Sequence, residues 1–350
     1  MPGALSRTSG RLVAAGGLAL ALLAFPSAAS SQAGEPPETP RLRWEYFFEQ
    51  RAYPFDAIPG GALQRARQQR EMLSPGFFMA PPAIQGTAWT PLGPERVPIS
   101  KTSTGRLTAI AVHPTEANTI YVGGAQGGVW KTTDGGAFWV PLTDTECSLA
   151  MGDIAIDPVN PEIVYAGTGE QHFSSDSYYG CGVLRSEDGG DSWTQLGAAH
   201  FVRDGESNAK ISRVNLDPTT AGDPVTTTVL VASDFGLFRS LDGGTTWQQT
   251  LTGTVTDLVR NPSDTQILYA AVRYTGVFKS TDGGVNWEQM SVGWPTENVS
   301  RINLALAASS PEIVYASIQH RTESDLLGIW KTTNGAGSWS KLSATGASCS

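Results

Sequence analysis

The stretch GTGEQHFSSDSYYGCG (167–182) gathers two carboxylates, an imidazole and two phenols: Glu170, Asp176, His172, Tyr178 and Tyr179. Glu170 and Asp176 have the side chains of an acid/base pair for glycoside cleavage, in which one carboxyl protonates the leaving oxygen and the other activates water or attacks. Aromatic rings beside carboxylates also suit stacking on a carbohydrate or recognition of a peptide. A solvated loop pinned by a disulfide is the structural alternative. Residue types alone do not reveal a perturbed carboxyl, so these five residues are read first as a ligand-binding set, with no residue assigned to catalysis.

The stretch interrupts a repeated grammar. VWKTTDGGAFW at 129, VLRSEDGGDSW at 183, LFRSLDGGTTW at 237 and VFKSTDGGVNW at 277 share one pattern, and IWKTTNGAGSW at 329 is a decayed copy. Asp134, Asp188, Asp242 and Asp282 stand five residues before Trp139, Trp193, Trp247 and Trp287, and Asn334 keeps that offset to Trp339. An aspartate at a hairpin tip accepts turn N–H groups, glycine supplies the positive φ of a tight turn, and the tryptophan packs beneath. The preceding Ser or Thr adds a local hydrogen bond. These are structural residues in this reading.

Each copy closes a longer unit. LTAIAVHP (107–114), TIYVGGA (119–125), GGVWKTTDGG (127–136) and AFWVPL (137–142) are four short β-type runs separated by Pro, Asn and Gly. DIAIDP at 153, RVNLDP at 213, DLVRNP at 257 and RINLAL at 301 open the later units. Four-stranded units of this length are blades of a β-propeller, and the fold class is all-β. In such blades the loop joining strands two and three shares a face with the inter-blade loops, opposite the aspartate hairpins. The insert at 167–182 therefore lies beside TDTECSLAMG (143–152) and GAAHFVRDGESNAK (197–210). The residue before the first apolar position of each opening strand is Ala109, Asp153, Arg213, Asp257 and Arg301 in turn. Alternating signs predict charge pairing between neighbouring blades near the central channel, with a channel-lining ligand site as the functional alternative.

The remaining features set the context. Arg7 and Arg11 precede the apolar run LVAAGGLALALLAF (12–25) and small residues, the pattern of a signal peptide over 1–33. No later segment approaches the ~20 apolar residues of a membrane span, so the mature chain is expected to be secreted or periplasmic. In an oxidising compartment Cys147 and Cys181, which flank one stretch on one face, are expected to form a disulfide, leaving Cys349 without a partner. Residues 34–85 are rich in Arg, Gln, Glu and aromatics around an IPGG breaker, which predicts short helices and a linker before a propeller at 86–350. A net charge of −9 without a basic stripe excludes a nucleic-acid surface. No cofactor or metal pattern is present.

The motif Ser/Thr-x-Asp-x-Gly-x-x-Trp resembles the Asp-box, or bacterial neuraminidase repeat, propellers. Four copies fit: Thr132, Asp134, Gly136, Trp139; Ser186, Asp188, Gly190, Trp193; Ser240, Asp242, Gly244, Trp247; and Ser280, Asp282, Gly284, Trp287. The fifth departs through Asn334 and Ala336. Within that superfamily the sequence style is similar to exported bacterial proteins of the sortilin-type and xyloglucanase-like group. The resemblance implies an exported propeller that binds a glycan or an extracellular protein, with a xyloglucanase-like glycoside hydrolase as the alternative. The Arg-Ile-Pro signature and arginine triad of sialidases are not recognisable. Xyloglucan-active relatives place a catalytic aspartate after the second strand of the first blade, where YVGGAQGGVW has Gln126. Glutamine cannot ionise and cannot take that role. Finally, GTAWTPLGP (86–94) resembles a closing strand without its blade, which predicts five blades in an arc or strained ring, incomplete beyond Ser350.

Overall fold

The computed structural model describes residues 105–173, 177–203, 207–323 and 325–342, together with Arg65. The expected signal segment, the helical segment apart from Arg65, the 89–92 strand, Asp176 and Cys349 lie outside the described residues.

Five four-stranded antiparallel sheets follow one another along the chain, each a meander in sequence order. Blade one comprises β1 (Leu107–Val112), β2 (Ile120–Gly124), β3 (Gly128–Thr132) and β4 (Val140–Pro141). Blade two comprises β5 (Met151–Ile156), β6 (Val164–Thr168), β7 (Val183–Ser186) and β8 (Thr194–Leu196). A small ribbon, β9 (Val202–Arg203) with β10 (Ser207–Asn208), occupies the connection that follows. Blade three is β11 (Ile211–Leu216), β12 (Val229–Ser233), β13 (Gly236–Ser240) and β14 (Gln248–Thr252). Blade four is β15 (Val255–Arg260), β16 (Leu268–Val272), β17 (Gly276–Ser280) and β18 (Glu288–Gln289). Blade five is β19 (Val299–Leu306), β20 (Val314–His320), β21 (Leu326–Thr332) and β22 (Ser340–Lys341). This is the all-β propeller architecture that the repeat predicts.

Burial explains which residues occupy which strand. β6, β12 and β16 are buried along their whole length, because a strand sandwiched between two neighbouring blades has two apolar environments. The short outer strands β4, β18 and β22 are exposed. Between blades lie four apolar clusters, one of which joins Ile163, Tyr165 and Val183 of blade two to Val214, Val229 and Phe238 of blade three. Ile110 and Val112 of β1, and Leu326 and Ile329 of β21, stay exposed, so the terminal blades retain apolar surface of the kind the inner blades bury.

The inner strands β1, β5, β11, β15 and β19 pack side by side in that order. Each begins with a bulge that shifts its register. In three blades the bulge residue is a hydroxyl that donates to the next inner strand: Thr108 to Met151 O at 2.6 Å, Ser212 to Val255 O at 2.8 Å and Thr256 to Ile302 O at 2.7 Å. Blade two has Gly152 at that place. A Cβ there would lie 1.8 Å from Ile211 O, so the backbone of β11 occupies the space that a side chain would need.

The aspartate turns have the hydrogen bonds that their residue types call for. Asp134, Asp188, Asp242 and Asp282 each accept from the amide four residues on, at 2.8–3.0 Å. The Ser or Thr hydroxyl donates to the aspartate and accepts the following glycine amide. Asn334 and Thr332 reproduce the arrangement, with Ala336 held at φ 67° where the other turns use glycine. These contacts make Asp242→Ala a stability mutation with an expected loss of about 1 kcal/mol. Thermal denaturation should show a melting point lower by about 2–4 °C, with ligand binding unchanged. Equal melting points would contradict the turn's role.

Candidate functional site: the face opposite the aspartate turns

The insert between β6 and β7 enters the molecule through glycine. Gly169, at φ 84°, donates its amide to Ala150 O, and a Cβ on it would meet Ala209 O at 2.6 Å. This lets Glu170 run alongside β11 in a parallel bridge with Ile211. The insert is further fixed by the disulfide between Cys147 and Cys181.

Glu170 is fully buried. Its carboxylate pairs with Arg106 at 2.9 Å and with His172 Nδ1 at 2.5 Å, and it accepts the His172 amide at 3.1 Å. Burial works to raise its pKa, but hydrogen bonds from His172 and Ser177 and the Arg106 charge outweigh burial and hold it below the usual carboxylate range. An anion with these partners orders the insert and is a poor proton donor, which weighs against the acid role considered for Glu170. His172 reaches a cleft with its ring a third exposed. Tyr178 and Tyr179 do not line that cleft. Tyr179 is exposed, with Lys210 Nζ 4.7 Å above its ring, and its carbonyl accepts from Ser148. Of the described members of the expected set, His172 alone lines the cleft, while Glu170 is buried with its amide donating to Tyr178 O.

The cleft has a volume of about 410 Å³. Its walls come from three blades: His172 and Phe173 of the insert, Arg273 after β16, Ser300, Arg301 and Asn303 of β19, and residues of β20 and its following turn, including Gln319 and Arg321. Arg273 and Arg321 escaped the sequence reading because each is a lone arginine in a short loop. Superposing the loops between second and third strands would have found them, since they occupy the blade-four and blade-five counterparts of the Gln126 loop.

Part of the alternating charge series pairs as expected. Arg213 Nε donates to Asp257 at 2.7 Å and its Nη1 lies 3.6 Å from Asp153. The other oxygens of the two aspartates accept the amides of Val214 and Leu304 from the next blade. Arg301 follows the series in charge, since the carboxylates of Asp257 and Glu170 act on it, but its Nε is buried without a hydrogen-bond partner.

Burial pushes the Asp153 carboxyl up to about 6, against the opposing pull of Arg213 and the Val214 amide. A folded value above the unfolded value of about 3.9 means that protonation favours the folded chain. The contribution is full below about pH 4 and lost as pH rises through about 6. The stability of wild type relative to Asp153→Asn should therefore increase as pH falls from about 7 to about 4.5, measured by denaturant titration. A difference independent of pH would contradict the burial of this charge.

His320, Glu323 and Asp325 bring ligand atoms within 4.8 Å of one another at the cleft rim, a grouping absent from the sequence reading. His320 Nδ1 already accepts the Thr322 and Glu323 amides, and His113 does the same for Thr115 and Glu116 in blade one. The recurrence in a turn without the acidic pair identifies the histidine as a turn cap.

No family model matches the chain. A xyloglucanase of Paenibacillus sp. is 28% identical over 185 residues, which are 51% of this chain and 17% of that protein. Among solved structures, an ancestral GH74 enzyme superposes with TM-score 0.54 at 20% identity, covering 73% of this chain and 32% of its own. The GH74 enzyme of Niastella koreensis gives TM-score 0.50 at 21% identity, covering 68% of this chain and 37% of its own. The chain spans about a third or less of the length of these relatives. Sequence and fold together make it a β-propeller similar to glycoside hydrolases.

Proposed function

We propose that the face carrying the blade-two insert and the arginine-lined cleft engages carbohydrate, and that the aspartate turns are Asp-box repeats that hold the blades behind it. The observation that carries this reading is the cleft itself. At about 410 Å³ it falls within the range of roughly 300–1,000 Å³ of small-ligand sites, and Ser300, Asn303, Ser317 and Gln319 offer partners for hydroxyl groups. The similarity to a xyloglucanase supports the same ligand class. The signal-like residues 1–33 and the Cys147–Cys181 bridge support a secreted or periplasmic location.

Hydrolysis is the second reading, favoured by that similarity. A two-carboxylate mechanism needs a pair flanking the scissile bond, and the described lining of the cleft holds one carboxylate, Asp325. Gln126 lies exposed in the β2–β3 turn, where the xyloglucanase resemblance implies an aspartate. We therefore place recognition ahead of cleavage.

A glycan array run beside product analysis on xyloglucan and other β-glucans tests both readings. Capture of a glycan without products is the expected result. Released oligosaccharides would replace the first reading by the second, and a protein that neither binds nor cleaves any glycan would contradict both.

A further inference from the structure

The cleft is cationic in an acidic protein. Arg273, Arg301 and Arg321 line it against one carboxylate, Asp325, while the whole chain carries a net charge of −9. Elsewhere near the channel, arginine is neutralised: Arg213 lies between Asp153 and Asp257, and Arg260 pairs with Asp217 at 3.1 Å. The cleft arginines are held differently. Arg273 stacks on Phe173 at 3.9 Å and on Tyr274 at 4.5 Å, and Arg321 lies 4.9 Å from the centre of the Tyr274 ring. Rings orient a guanidinium but do not accept its in-plane N–H groups. The Nε atoms of Arg273 and Arg301 are both buried with no hydrogen-bond partner.

Backbone strain marks the same place. Phe173 at φ 57° and Tyr274 at φ 65° are two of the four described non-glycine residues with positive φ, and their rings are the ones on which Arg273 rests. A left-handed backbone at an aromatic residue is strained and persists where the surroundings impose it. Buried, unpaired guanidinium N–H groups are also costly. A planar anionic group in the cleft meets the outer edge of a guanidinium fork in a bidentate manner and balances its charge.

From this arrangement we infer that the cleft takes a carboxylate-bearing sugar, a uronic-acid unit of an acidic glycan, with Arg301 and Arg273 on the carboxylate and the Ser300, Asn303 and Gln319 side chains toward its hydroxyls. The inference rests on the carbohydrate reading above and narrows it to acidic substrates. Neutral xyloglucan lacks the charge that the cleft is built to meet.

The test is calorimetric titration of the full chain with trigalacturonate, with its carboxyl-reduced, neutral counterpart, and with a neutral xyloglucan oligosaccharide. Trigalacturonate should bind at least tenfold more tightly than either neutral sugar. Arg301→Ala should weaken that binding at least tenfold, with circular dichroism confirming that the variant stays folded after the charge facing Asp257 and Glu170 is lost. Arg273→Gln provides an independent variant and should also lose affinity for trigalacturonate, while leaving neutral sugars unaffected. Equal affinity for charged and reduced sugars, or trigalacturonate binding that survives both substitutions, would overturn the acidic specificity and leave the carbohydrate reading standing. Failure of every sugar to bind would overturn both. Binding of an acidic peptide in preference to trigalacturonate would overturn the sugar assignment.

Discussion

Replacing Cys147 and Cys181 by serine should lower the unfolding free energy by about 4 kcal/mol, the chain-entropy value for a loop of this length. The bridge spans 34 residues of sequence and ties the connection between blades one and two to the end of the insert. Cys181 is buried, and its amide donates to the Thr168 hydroxyl at the end of β6, so the bridge continues a hydrogen-bonded frame. A domain whose net stability is about 5–15 kcal/mol would lose a large part of it. In urea denaturation the double serine variant and the reduced wild type should have midpoints that agree with each other and fall well below that of the oxidised wild type. Identical midpoints in all three states would show that the bridge restrains nothing.

Trp247→Ala should have a comparable effect, a loss of about 3–5 kcal/mol. Trp247 is 8% exposed and closes the junction between blades two and three. Its ring meets Phe201 edge-on at 5.3 Å, and Phe201 in turn meets Phe238 at 4.9 Å. Phe201 comes from the connection that leads into the β9–β10 ribbon, so the tryptophan anchors that connection as well as its own turn. Alanine would leave a cavity bordered by two phenyl rings. Trp247→Phe should recover a good part of the loss, because one ring still fills most of the volume. A shift below about 1 kcal/mol for the alanine variant would mean that the site collapses freely and that the aromatic cluster contributes little.

The aspartate turns are legible because one turn geometry demands an acceptor, a glycine and a tryptophan at fixed offsets, and the demand recurs in every blade. Even the decayed copy folds alike, since Asn334 still presents an oxygen to the Ser338 amide. The disulfide is legible because its cysteines flank one insert on one face. Glu170 is different: one of its partners, Arg106, lies 64 residues away, and the burial that turns the carboxylate inward shows only in three dimensions. The arginine cleft is concealed for a similar reason. Arg273 and Arg321 occupy corresponding loops of neighbouring blades and Arg301 lies on an inner strand, and the packing of blade five on blade four brings the three to one cleft, with His172 and Phe173 of the insert beside them. The alternation of Asp153, Arg213, Asp257 and Arg301 shows that the charges face one another near the channel, but the three-dimensional arrangement is needed to show that Arg301 also lines the cleft.

Hydrogen–deuterium exchange of the full chain, with and without a captured glycan, tests the central claim directly. The claim is that ligand recognition belongs to the face opposite the aspartate turns. Binding should slow exchange in the described parts of the insert, around Arg273 and Tyr274, in β19 near Arg301 and in the turn after β20, leaving the turns at Asp134, Asp188, Asp242 and Asp282 unchanged. Protection concentrated at those turns, with none around Arg273 and Arg301, would place recognition on the other face and contradict the account.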